Sequence, residues 1–320
     1  MASVLLLGTT VLLGVLLASP RGPAPQPSDR LAMAAQASGR PKECRKGGER
    51  SRQTRWTIWD HARQPHLLRY CDLLGRGHAL LDRSPASARE AASLADQVLP
   101  GKAAPLVLTA RAHVRLRDFD RALQDFQKAR TIDPRSLEEP AALHDLAITQ
   151  KHSGALEDAA ATYRILVPRL DLLPDTDDRV AVLLEAAALA MNRGPSGLDE
   201  ATALLSQARS LPLSKHSPIV LGLLALALDR ASSSEQADAV LDALHRSNGA
   251  AVLATLDPAS LPFLTNPNEW TAVLAITLER EDRSRAVMTW ERYVDSKPPE
   301  PHLAHAKARV DSLRKAPGRP

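Results

Sequence analysis

The side chains able to do chemistry in this 320-residue chain are scattered. Two of its ten histidines stand beside an aspartate, in Asp60-His61 and His144-Asp145. Adjacent residues on a helix point in different directions, so neither pair makes an acid–base dyad. His302 and His305 share a helical face and would suit an adventitious metal pair, with no third ligand in view. Asp175, Asp177 and Asp178 crowd one stretch, without the alternate spacing and terminal Glu of a calcium loop. They suit the first turn of a following helix, where acids complement the helix dipole. Gly47-Gly48 precedes no strand–helix unit, and the chain holds no H-E-x-x-H, G-x-S-x-G, Walker or G-x-G-x-x-G motif. No catalytic residue, cofactor or metal is expected.

Cys44 and Cys71 are the only cysteines. Their lack of C-x-x-C spacing argues against zinc. In an exported chain they are compatible with one disulfide tying the Lys/Arg-rich segment around Cys44 to the first long helix. The alternative is two unrelated thiols.

The apolar fraction is 44%, yet only 3% of residues are aromatic. The core must be built from Leu, Val and Ala, and small side chains favour closely approaching helices over a β sandwich. No run of alternating β-branched residues bounded by turn residues is present. The fold class expected is all-α.

Charge is uneven. Residues 40–55 (RPKECRKGGERSRQTR) hold seven Lys/Arg against Glu43 and Glu49, a surplus of five, whereas the whole chain carries +4. The rest therefore sums to about −1, and the basicity belongs to one short segment. That segment is either a solvated linker or a contact for anionic lipid or another polyanion. No nucleic-acid partner is expected. Val4 to Ala18 (VLLLGTTVLLGVLLA) is continuously apolar, with no charge in the first twenty residues. Its length matches a signal-peptide core or a marginal membrane anchor. No basic residue precedes it, and the positive charge that follows would favour a cytoplasm-facing anchor. Export is the preferred reading, with that anchor as the alternative.

The elements that position everything else show in Leu106 to Pro134 (LVLTARAHVRLRDFDRALQDFQKARTIDP). Two helices are predicted around a turn at Arg117-Asp118. Ala122, Phe126 and Ala129 are spaced four and three and so share one face. Alanine belongs where two helices nearly touch, the aromatic fills the wider gap, and Pro134 stops the helix. This pattern resembles the tetratricopeptide repeat, a helix–turn–helix unit of about 34 residues. The spacing returns at Leu143, Leu146, Ala147, Gly154, Ala159 and Tyr163, more loosely from Leu183 to Ala208, at Leu221 to Leu244, and at Trp270, Ala286, Trp290, Tyr293 and Pro298. Leu73 to Pro100 forms a degenerate first unit, and the fourth unit has a turn enlarged over 193–197. The expected architecture is an α-solenoid of about six such units with a C-terminal capping helix. The expected division is signal or anchor 1–20, disordered linker 21–53, N-terminal cap 54–68 carrying Trp56 and Trp59, repeats 69–249, a proline-containing interruption 250–266, a further repeat 267–298, closing helix 299–315 and disordered tail 316–320.

The resemblance implies a concave groove lined by the first helices, which accepts a peptide or partner helix. Transferred position by position, it nominates Val107, Arg111, Arg115, His144, Ile148, Lys151, His152, Leu226, Asp229, Arg230, Thr271, Ala275 and Glu279. Basic residues lead and acidic ones follow, so a protein partner with an acidic segment would dock on the amino-terminal half. Val107 and Arg111 stand where some relatives place a Lys and an Asn to clamp a carboxyl terminus, so that function is not carried over. The function expected is a non-enzymatic protein-interaction scaffold of the bacterial cell envelope, periplasmic or membrane-anchored. The alternatives are a surface spacer tethered through residues 40–55, and remotely an enzyme with a site near 250–267.

Overall fold

The computed structural model describes residues 41–44, 64–212, 214–258, 261, 263–264 and 266–315. The apolar amino terminus, the basic segment beyond Cys44, the Trp56/Trp59 cap and the tail from residue 316 lie outside the described residues.

Within them the chain is all-α, and no strand occurs among the described residues. Six antiparallel helical hairpins follow one another: α1 (Pro65–Leu80) with α2 (Pro85–Val98), α3 (Ala103–Arg115) with α4 (Phe119–Ile132), α5 (Pro140–His152) with α6 (Leu156–Leu166), α7 (Thr176–Asn192) with α8 (Pro195–Ser210), α9 (Ser217–Arg230) with α10 (Ser234–Arg246), and α12 (Glu269–Leu278) with α13 (Arg283–Asp295). The short α11 (Gly249–Thr255) fills the interruption before the sixth hairpin, and α14 (Glu300–Lys315) closes the array on α13. Residues 65–68 are the first turn of α1.

Local sequence accounts for the boundaries. Pro stands at the amino-terminal end of α1, α2, α5, α8 and α9, where its missing N–H is no loss. Asp118, Asp175 and Asp282 cap α4, α7 and α13, each accepting a backbone N–H with its carboxylate. The three-aspartate cluster is thus a cap and first turn. The turns inside the hairpins reuse one device. Arg117, Gly154 and Ser232, each two residues before a second helix, all sit in the left-handed region (φ 60°, 78° and 61°). Only the glycine does so without steric cost.

The fourth hairpin corrects one expectation. Its turn is tight, because α7 runs on to Asn192 and Pro195 already begins α8. Gly197 makes this possible: a Cβ there would collide with the Ala190 carbonyl.

Alanine supplies the close approaches. Ala88, Ala92 and Ala95 on α2, Ala122 and Ala129 on α4, and Ala159 on α6 are fully buried. The fully buried large side chains include Phe126, Tyr163, Trp290 and Tyr293 of the second helices. Each large ring buried adds on the order of 2–3 kcal/mol over leaving it exposed. The Cys44 and Cys71 sulfurs are bonded, with Cα atoms 5.7 Å apart, pinning the 3₁₀ turn Lys42–Cys44 onto α1.

Candidate functional site

The nominated residues fall on the first helices or, for Glu279, just past one, and Arg111, Arg115, His144, Lys151 and Arg230 each meet a neighbouring first helix. Arg111 of α3 donates from Nε to Oδ2 of Asp145 on α5 at 2.8 Å, with Glu139 3.6 Å away. Arg115, one turn on, reaches the other Asp145 oxygen at 2.5 Å and Asp82, just beyond α1, at 2.8 Å. Arg111 and Asp145 are both buried, whereas the Arg115 side chain keeps 31% of its surface open. His144 and Asp145 do point in different directions: the aspartate faces α3, and His144 faces α7.

On that second side His144 Nε2 lies 2.7 Å from Oε2 of Glu185, and the Tyr163 hydroxyl donates to the same oxygen at 2.6 Å. Lys151 Nζ stands 4.0 Å from the other oxygen. Burial alone would raise the Glu185 carboxyl, but His144, Lys151 and Tyr163 together hold it down at about 2. His144 moves the opposite way: burial disfavours its charge, yet Glu185 raises it above the usual histidine range. Burial lowers Lys151, against the pull of Glu185.

The carboxyl-terminal candidates form two further clusters. Arg230 donates to Glu269 at 2.7 Å and to the Tyr293 hydroxyl at 2.9 Å, while that hydroxyl donates to Glu269 at 2.5 Å. Burial would lift the Glu269 carboxyl, but His302, Arg230 and Tyr293 hold it at about 2. Asp229 meets His305 Nε2 at 2.7 Å and Arg309 at 3.5 Å. Glu279 accepts from Arg309 and, at 2.7 Å, from the indole N–H of Trp290. His302 and His305 therefore serve carboxylates, and no group of three His, Cys, Asp or Glu able to hold a metal occurs among the described residues.

The other candidates divide. Val107 is buried among Phe126, Ala142 and Leu146, and Leu226 and Ala275 lie fully in the core. Ile148 is half-buried at the edge of the Val107 cluster, Thr271 is half-buried, and His152 is exposed, its ring stacked 4.0 Å from Phe119. Sequence reasoning missed the acids: Asp82, Asp145, Glu185 and Glu269. Two signals were present. Arg111 and Asp145 are one repeat apart with opposite charge, and Glu185 is the single charge within the apolar run VAVLLEAAALAM.

α5 is the informative helix. Pro140, Ala142, Leu143, Asp145, Leu146, Ala147, Thr149, Gln150 and Lys151 are all buried, so what is left is one stripe of half-buried Ala141, His144 and Ile148 and exposed His152. The exposed Leu116 and the part-exposed Arg115 belong to the preceding hairpin. α7, in contrast, is buried continuously from Val182 to Met191.

No family model matches the chain, and no curated protein matches it. Among solved structures it is similar to the crystal structure of YrrB, described as a TPR protein with an unusual peptide-binding site. Identity is 15% over 69% of this chain and 99% of that one, with a TM-score of 0.43. The fold itself is an all-α solenoid of tetratricopeptide-like hairpins, as the six consecutive pairs define it.

Proposed function

We propose that the protein is a non-enzymatic scaffold that holds a protein or peptide segment against the stripe of α5. The observation that carries this is the stripe itself. A helix enclosed on every other side leaves Ala141, His144 and Ile148 half-buried and His152 exposed along one face, with the His144 ring already bound to Glu185. Such a surface suits an extended or helical segment laid along it. Both arginines are already paired with carboxylates, Arg111 with Asp145 and Glu139 and Arg115 with Asp145 and Asp82, so an acidic residue in that segment would meet Arg115 only by sharing its part-exposed guanidinium. The Cys44–Cys71 disulfide supports an oxidising compartment, and with it the exported, envelope-associated reading of the amino-terminal apolar run. No helix among the described residues is long and apolar enough to cross a membrane.

The test is a comparison of partners recovered by the wild-type chain and by Ile148→Ser/His152→Glu. A variant with unchanged circular dichroism should lose the partners that wild type retains. Equal recovery by both would remove the stripe from the function.

A further inference from the structure

A cleft of about 180 Å³ lies where α6 of the third hairpin meets α7 and α8 of the fourth. Its walls are Ala160 and Tyr163 of α6, Ala186 and Ala190 of α7 and Leu204 of α8. The side chains explain why this space is left. The three alanines are too short to reach across it. Tyr163 is fully buried and is tethered by its hydroxyl to Glu185 at 2.6 Å, so it cannot swing in to fill it. Walls that face an unfilled apolar space forfeit the contacts an occupant would return.

Size decides what kind of occupant fits. Pockets that enclose a whole small-molecule ligand run from about 300 to 1,000 Å³. This cleft is smaller than that, whereas an apolar cavity of about 150 Å³ accommodates benzene. It therefore takes one ring and not a cofactor. A ring placed against Tyr163 adds the preferred pairing of two aromatic groups to simple burial.

Charge limits the occupant further. The charged residues at the cleft are Arg164, Arg193 and one acid, Glu200. Glu200 is bound to Arg193. Arg164 is exposed and pairs with no carboxylate among the described residues; its hydrogen bond goes to the Ala160 carbonyl of its own helix, at 3.4 Å. The rim thus carries one positive charge that the fold does not neutralise.

We infer that this cleft is an anchor site for a protein partner: it takes one aromatic side chain from a segment of that partner, and Arg164 meets a carboxylate beside it. In protein interfaces a few side chains seated in well-packed pockets carry most of the affinity. An exposed arginine at the rim adds selectivity for an acidic neighbour. The cleft shares no residue with the α5 stripe, and the two proposals stand separately.

The experiment selects random heptapeptides displayed on phage against the immobilised full chain. Enriched sequences should place Phe, Tyr or Trp within two positions of Asp or Glu. Fluorescence polarisation of the leading peptide should show at least tenfold weaker binding to Ala160→Leu, which puts a longer side chain at the cleft wall. Arg164→Glu, which reverses the rim without touching the core, should weaken binding at least as much. His152→Glu should bind like wild type, which separates the cleft from the α5 stripe. Circular dichroism matching wild type qualifies each variant, and the exposed Arg164→Glu carries the test if Ala160→Leu does not fold. Enrichment without the aromatic–acid pair, no enrichment, undiminished binding to either variant that folds, or loss of binding in His152→Glu would each overturn the inference.

Discussion

Arg111 and Asp145 lie one repeat apart in sequence and meet at 2.8 Å, both buried, between the first helices of consecutive hairpins. The contact converts the repeat period into a physical link. It also implies that the two charges depend on each other. Removing one partner of a buried pair leaves the other uncompensated, at a cost of about 3–5 kcal/mol. Asp145→Ala and Arg111→Ala should each destabilise the chain by that order. Asp145 strands two arginines and should cost the more. The double variant should cost less than the sum. Urea unfolding of the three variants measures the cycle, and strict additivity would show the pair to be uncoupled.

The Glu185 cluster sets a pH dependence on both sides of neutrality. Glu185 and Glu269 are held at about 2, below the ordinary 4.5, so their stabilisation is present above pH 4.5 and is lost as pH falls toward 2. Each contributes up to about 3 kcal/mol at neutral pH. His144 has the opposite sign: raised above 6.5, it stabilises fully below that value and less as pH climbs through its folded value. Glu185→Gln should reduce the acid limb to the share that Glu269 carries and remove the alkaline decline together. Chemical denaturation from pH 2.5 to 9 checks this, and an unchanged alkaline decline in the variant would separate His144 from Glu185.

The shared turn gives a local prediction. Gly154→Ala forces a side chain into the left-handed region and should cost about 1–2 kcal/mol. Arg117→Gly, at the equivalent place in the preceding hairpin, relieves that strain and should be neutral or stabilising. Thermal unfolding of both variants tests whether the two turns are equivalent; a loss in Arg117→Gly matching that in Gly154→Ala would deny it.

Reduction tests the disulfide. Cys44 and Cys71 are 27 residues apart, and opening a loop of that size should cost about 2–4 kcal/mol. The effect should concentrate in α1, read as faster amide exchange there than in α5 or α9 after treatment with dithiothreitol. Uniform destabilisation of all hairpins would show that the first is not a separate cooperative unit.

What the sequence made legible was the hairpin, because Ala122, Phe126, Ala129 and Pro134 encode a local face and a local stop. Proline and aspartate placed the helix starts in the same way. The sites were less legible. Arg111 and Lys151 carry charge, and a first helix has a face toward its hairpin partner, a face toward the next hairpin and a face toward solvent. Only the stacking decides which of these a cation meets. It turned Arg111 toward Asp145 and Lys151 toward Glu185. The turn at 193–197 departs from expectation for a similar reason. Glycine and proline there mark a close approach of α7 and α8 as well as they would mark a loop. That α14 would meet Asp229, 76 residues before His305, depends on the array as a whole and has no local trace.

The scaffold reading is tested most directly by photo-cross-linking in the producing cell. A benzophenone side chain placed at His152 should capture a defined protein partner. The same group at Ile165 of α6, 51% exposed on a second helix, should capture none of it. Equal yield of the same adduct from both positions, or no adduct at His152 from a chain that remains folded, would contradict the account.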